Sequence, residues 1–221
     1  MTVHAVKLPE HQAIYLQIRN MILFGSLVPG QAVTIQGLVD HVGAGMTPVR
    51  EALRRLTAEG ALESGENRRI RVPEITRDRL DQISFARLAI EPRLAGLAAG
   101  RITDDGLAGL EKMDAAVDTA IAQGDVEGYL EANYRFHFLL YDLADAEILT
   151  KIATSLWLQV GPSLRIVCGR YGTANLPDKH SETLTALREG DSDRAATAIA
   201  DDIRQGLGQV RLTLGKPHAT N

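Results

Sequence analysis

Apolar and polar positions repeat with a helical period over most of the chain, and the one region where that period breaks is the most informative. In the ten residues from Thr47 to Leu56, TPVREALRRL, the side chains Val49, Ala52, Leu53 and Leu56 fall at helical spacing and make one apolar face. Thr47 is placed to cap this helix and Pro48 suits its first turn. The opposite face carries Arg50 and Arg54, with Arg55 beside them. Upstream, TIQGLVDHV (Thr34 to Val42) reads as another short amphipathic helix, and Gly43-Ala44-Gly45-Met46 is the length of a helix-turn-helix corner. Downstream, AEGALESGENRRIRVPEI has a strand-like start, a polar turn with glycine, then Arg68, Arg69 and Arg71 alternating with Ile70 and Val72. That pattern predicts a basic β-hairpin.

The flanks are helical. Residues 1 to 8 form a polar arm, and a helix through IYLQIRNMILFG ends near Gly25, its Ile14, Ile18, Met21 and Ile22 facing the helix-turn-helix. Ser26 to Gly30 is a turn. Pro73 interrupts regular structure, so residues 73–77 are the expected linker between an N-terminal domain over 1–72 and a C-terminal domain over 78–221. Beyond it no strand pattern appears, and six or seven helices are expected. The first runs from about Arg77 to Arg101, with Leu80, Ile83, Arg87, Ile90, Glu91 and Leu94 on one stripe. Thr103 caps the second, which carries Leu107, Leu110, Met113 and Val117; others run from about Val126 to Leu143, Ile148 to Cys168, Pro177 to Arg188 and Ser192 to Leu214. The expected fold is mainly α: a winged helix-turn-helix, then an all-α antiparallel bundle with a central cavity.

Composition narrows the partners. The 221 residues carry a net charge of −4, unevenly spread: residues 1–76 hold 8 Lys+Arg against 7 Asp+Glu, and residues 77–221 hold 16 against 21. A mildly basic head on an acidic body argues against nonspecific coating of nucleic acid and for contact through one small surface. The single cysteine, Cys168, excludes an intramolecular disulfide and agrees with a reducing cytoplasm. No apolar run approaches the ~20 residues that span a bilayer, and the N-terminus has no signal-peptide pattern, so no membrane partner is expected.

An isolated helix like 47–56 is often a solvated surface whose arginines pair with Glu51 and Glu59. The helix before it and the hairpin after it favour the other reading, in which guanidinium forks meet phosphate oxygens and guanine edges. Here the chain resembles the GntR family of bacterial transcription regulators. Pro29-Gly30, TPVREALRRL and Glu59-Gly60 match the family's winged-helix motif in register, within a resemblance that covers about 65 residues. The resemblance implies that Thr47, Arg50, Arg54, Arg68, Arg69 and Arg71 meet a double-stranded operator. It departs from the family at Gly45, usually Ser, at Met46, usually a DNA-contacting Arg, and at Gln36, often Arg. Those two contact positions carry different side chains here, so the family's operator sequence does not transfer.

In the C-terminal two-thirds, Asn133 and His137 lie four residues apart on a helix whose Leu130 and Leu140 face the core. If the last two helices fold back about Gly190, His180 lies level with residues 200 to 202. Asp202, beside Ile199, Ile203 and Gly206, is the better inward candidate than Asp201. Two imidazoles, a carboxylate and an amide oxygen suit Zn²⁺, Ni²⁺ or Mn²⁺ with open positions left over. RLAIEPRLAGLAA (Arg87 to Ala99), NYRFH (Asn133 to His137) and HSETLTALREGDSDRAATAIADDI (His180 to Ile203) are similar to the FCD domain of the FadR branch of that family. The resemblance implies metal ligands at these four positions, typically Asp, His, His and His, so Asn133 and Asp202 depart from it. It also implies an effector-binding Arg at Arg87, although Arg87 and Glu91 are spaced to pair with each other. Arg165 is a second effector candidate.

The expectation is a homodimeric repressor on a palindromic site, its operator affinity modulated by a small carboxylate metabolite bound in the bundle. The alternative is a metal-dependent hydrolase-like activity, since two His and a carboxylate can activate water. The chain lacks HExxH, a phosphate-binding loop and a nucleophile elbow.

Overall fold

The computed structural model describes residues 8–65, 69–171 and 178–214, with the backbone alone for 166–171. The polar arm before Leu8, Arg68 in the wing and Pro177 lie outside the described residues.

The head is a winged helix. Helix α1 (Glu10–Leu23) buries Ile14, Tyr15, Ile18 and Ile22 against the two helices that follow. Strand β1 (Ala32–Val33) leads into α2 (Ile35–Val42), where the Thr34 hydroxyl accepts from the Gly37 amide at 3.1 Å. Gly43 ends that helix at φ +66°, a conformation that favours glycine. Helix α3 (Met46–Ala58) buries Val49, Ala52, Leu53 and Leu56, the expected face. Its start corrects the sequence reading: Gly45 occupies the cap position with no side-chain bond, so Thr47 lies inside the first turn. Strands β2 (Glu63–Ser64) and β3 (Ile70–Arg71) form the hairpin, and the antiparallel sheet has the order β1-β3-β2. β1 went unread because two residues are too few to show an alternation.

Six body helices lie among the described residues: α4 (Arg77–Ala99), α5 (Asp104–Gln123), α6 (Val126–Leu143), α7 (Glu147–Tyr171), α8 (Lys179–Arg188) and α9 (Ser192–Thr213). Five begin at a side-chain cap, with Thr76, Thr103, Asp125, Asp178 and Asp191 accepting from a backbone amide three residues on. Pro92 lies inside α4 and Pro162 inside α7. α4 packs along α9, α5 along α6, and α8 returns along α9 after Gly190.

The segment between head and body is tied down rather than loose. Val72 and Ile75 are buried, and Val72 exchanges backbone hydrogen bonds with Gln31 and Gly30. One apolar core therefore runs from head to body. At the junction α1 lies on α7, Arg19 hydrogen-bonds the Tyr134 hydroxyl on α6, and Arg79 reaches the Gly60 carbonyl and Gln159 at 3.1 and 3.0 Å.

Candidate metal site and nucleic-acid face

On α3 the arginines divide. Arg50 is exposed and has no partner among the described residues. Arg54 is exposed but clamped by Glu51 through two bonds of 3.1 and 2.7 Å. Arg55 lies 3.7 Å over the Tyr15 ring and pairs with Glu59, while the Tyr15 hydroxyl donates to the same carboxylate, so it helps hold α3 on α1. Both readings of this helix thus apply, to different arginines. On the wing, Arg69 is exposed and Arg71 pairs with Glu63 at 2.6 Å. Thr47 and Met46 are exposed at the start of α3, and Gln36 on α2 donates to Asp40 at 2.8 Å.

In the body, ligand atoms of His137 (α6), His180 (α8) and Asp202 (α9) lie within 4.8 Å of one another. Asn133 sits one turn before His137 on α6, half-buried and without a hydrogen-bond partner among the described residues. The α8–α9 hairpin brings His180 level with Asp202, while Asp201 turns outward to Arg204 at 2.8 Å.

A buried network fixes the state of His137. Glu91, fully buried, accepts from Arg87 at 2.6 and 2.9 Å, from the Tyr141 hydroxyl at 2.6 Å and from Trp157 Nε1 at 3.1 Å. Burial acts against the Arg87 charge, and the Glu91 carboxylate more than offsets it, holding the guanidinium pKa above its ordinary value. With its hydroxyl hydrogen donated in the bond to Glu91, Tyr141 can only accept from His137, whose Nδ1 lies 3.1 Å away. Nδ1 therefore carries the imidazole proton and Nε2 presents its lone pair to the site. Burial pushes the His137 pKa down, against the pull of Asp202, so the ring is neutral. Burial works against the Asp202 charge, but its neighbours His137, His180 and Arg87 outweigh it and hold its pKa below the ordinary carboxylate range.

The consequence is a mismatch. His137 Nε2 is buried with no hydrogen-bond partner, and Asp202 Oδ2, at 3.2 Å, lies within ion-pair distance without making that bond. A lone pair facing a carboxylate calls for an electrophile between them, a proton or a cation. His180 is oriented the same way: Asp114 on α5 takes its Nδ1 at 3.1 Å, and its ring stacks on Phe136 at 3.9 Å, leaving Nε2 for the cluster. These donors fit a divalent metal.

Neither effector arginine stands free in this site. Arg87 spends its fork on Glu91 and lies over the Trp157 ring at 4.3 Å. Arg165 lies at the junction with the head, where it reaches the Phe24 carbonyl at 3.4 Å and packs against Gly25. Sequence reasoning missed Asp114, Tyr141 and Trp157. Asp114 left a signal, a carboxylate in line with Leu110 and Val117 on an otherwise apolar stripe of α5.

Comparison with known proteins covers both regions. The model for bacterial regulatory proteins of the gntR family matches residues 10–72, and that for the FCD domain matches residues 82–205. The chain is 29% identical over 206 residues to the HTH-type transcriptional regulator McbR of Escherichia coli K12, covering 90% of this chain and 93% of McbR. It is 30% identical over 188 residues to the Nta operon transcriptional regulator of Aminobacter aminovorans (82% and 85% covered). Similarity to the HTH-type transcriptional repressor RspR of E. coli K12 is 26% over 210 residues, covering 92% and 91%. Among solved structures, E. coli McbR/YncC superposes with a TM-score of 0.87 at 25% identity, covering 94% of this chain and 99% of that one. A GntR transcriptional regulator from Rhodococcus sp. RHA1 shares the fold, with a TM-score of 0.74 at 19% identity (91% and 97% covered).

Proposed function

The chain belongs to the GntR family of bacterial regulatory proteins, with an FCD domain behind its DNA-binding winged helix, and from that premise we propose a metal-dependent, effector-responsive repressor. A divalent ion, Zn²⁺, Ni²⁺ or Mn²⁺, is held by His137, His180 and Asp202 with Asn133 beside it, and supplies open coordination positions for a small carboxylate metabolite. The observation that carries this reading is the buried, unpartnered His137 Nε2 facing Asp202. Since Arg87 and Arg165 are both engaged, the metal rather than a free guanidinium anchors the effector.

The protein works in the cytoplasm as a homodimer on a palindromic operator, because one head reads too few base pairs for genomic specificity. Among the described residues no helix is long and apolar enough to cross a membrane. The second copy docks on α4 and α7, where Phe85 of α4 and Ile148 and Ile152 of α7 are exposed apolar side chains. The site meets the head through side chains in contact. His137 lies against Trp157, Trp157 against Tyr134, and Tyr134 bonds Arg19 of α1. An effector shifts the heads only as far as it prefers one arrangement of the dimer.

Elemental analysis and calorimetry on wild type and on a His137→Ala, His180→Ala double mutant test the core of this reading. Wild type is expected to hold one divalent ion per chain and the double mutant none, with operator affinity changing roughly 5- to 150-fold between the apo and fully liganded forms. A wild type that takes up no divalent metal removes the metal from the function.

A further inference from the structure

Around the proposed ion, the nearest donors leave the charge unbalanced. His137 and His180 bind a metal as neutral imidazoles, Asn133 is an amide, and Asp202 is the one carboxylate among the four. Arg87 and Glu91 cancel each other. A divalent ion held by these groups alone keeps a net positive charge inside a packed bundle, where unbalanced charge is costly. The balancing group lies behind His180. Asp114 comes from α5, a helix that contributes no donor to the cluster, and its carboxylate meets His180 Nδ1 at 3.1 Å with its side chain 17% exposed. Phe136 holds the same ring face-on at 3.9 Å and 13°. Edge and face of the imidazole are thus both fixed, by partners on different helices.

We propose that Asp114 is a positioning residue of the metal site, holding His180 as an Nε2 donor and lending through that hydrogen bond the second negative charge that the direct donors lack. The inference rests on the metal reading above. A carboxylate behind a ligating histidine fixes its tautomer and raises its basicity, and removing such a partner typically costs 10- to 100-fold in metal affinity. Asp114→Asn keeps an acceptor oxygen but removes the charge; Asp114→Ala removes both. The two substitutions therefore separate orientation from charge.

The test is the dissociation constant for Zn²⁺, measured on the full chain by competition with a chromophoric chelator, with Co²⁺ absorption as a report on the ligand field. Asp114→Ala is expected to weaken Zn²⁺ by roughly 10- to 100-fold and Asp114→Asn by a smaller factor. Asp104→Asn, exposed in the first turn of α5, leaves the constant unchanged. The apo unfolding midpoint of Asp114→Asn stays at the wild-type value, which a merely structural role would not permit. Adding Asn133→Asp, which places a carboxylate one turn from His137 on α6, restores affinity to Asp114→Asn. If both Asp114 variants bind Zn²⁺ as wild type does, this inference falls and the metal site stands. If wild type binds no Zn²⁺, both fall together.

Discussion

The head and the body of this chain hold their arginines in opposite ways. On the recognition helix Arg50 is exposed with no partner among the described residues, and Arg54 pairs with an exposed Glu51. In the bundle Arg87 and Glu91 are 3% and 0% exposed, and every oxygen of Glu91 is used. An exposed guanidinium keeps its water and exchanges it for a phosphate or a base edge at small cost. A buried one has already lost that water, so it depends on the one carboxylate that compensates it. The same residue type is left open to exchange its partners in one domain and is locked in place in the other.

The largest effect that sharpens this contrast is expected at Glu91. Glu91→Ala leaves Arg87 charged and buried without its partner and strips Tyr141 and Trp157 of their acceptor, a change that typically costs about 3–5 kcal/mol. Urea unfolding should show the loss, and the Arg87→Met, Glu91→Leu double variant should recover much of it. Glu51→Ala in the head, which breaks an equally well-formed pair in water, should leave the midpoint where it was. Equal sensitivity at the two sites would break the comparison.

Next in size is Arg50→Ala. Truncating an arginine that reads a base costs about 1–3 kcal/mol of operator binding, whereas one that touches only phosphate weakens all sequences alike and flattens the salt dependence. The variant should fold as wild type, since Arg50 has no partner to lose among the described residues. Operator affinity unchanged by Arg50→Ala would remove α3 from the groove.

How much of this was legible beforehand differs between the domains for physical reasons. The recognition helix was readable because its apolar face, its arginines and its flanking Pro29-Gly30 and Glu59-Gly60 are all local in sequence. His180 and Asp202 were placed together because a hairpin about Gly190 fixes their level by helical rise alone. Asp114 lies 66 residues from its histidine and Trp157 lies 66 from Glu91, and no periodicity reports pairing across such separations. The place of Arg165 at the junction was illegible for the same reason. Its helix is apolar, but whether a position faces the bundle interior or the neighbouring domain depends on how the head docks.

The smallest effect near neutral pH distinguishes the domains by the side on which each loses stability. Consider the metal-free protein. His137 is held neutral by burial, its folded pKa below the ordinary 6.5. As pH falls through about 6.5 the unfolded chain takes up a proton that the folded chain refuses. The unfolded state then binds more protons, so stability is lost as pH falls, by at most about 1.4 kcal/mol per pH unit for one group. Tyr15 in the head has the opposite sense. Burial, and then its bond to Glu59, push its pKa up to about 12 from the ordinary 10.0. Its contribution is fully present below pH 10 and is lost as pH rises from 10 to about 12, because the unfolded tyrosine ionises first. One core runs through both domains, so both limbs should appear in a single unfolding transition, followed by the fluorescence of Trp157, the chain's one tryptophan. His137→Gln should flatten the acid limb near pH 6 and leave the alkaline one intact, and Tyr15→Phe should do the reverse. An acid limb unchanged by His137→Gln would mean that the imidazole is already protonated in the folded apo protein, with Asp202 as the partner of its Nε2–H. The unpartnered lone pair, and with it the need for a metal, would then be gone.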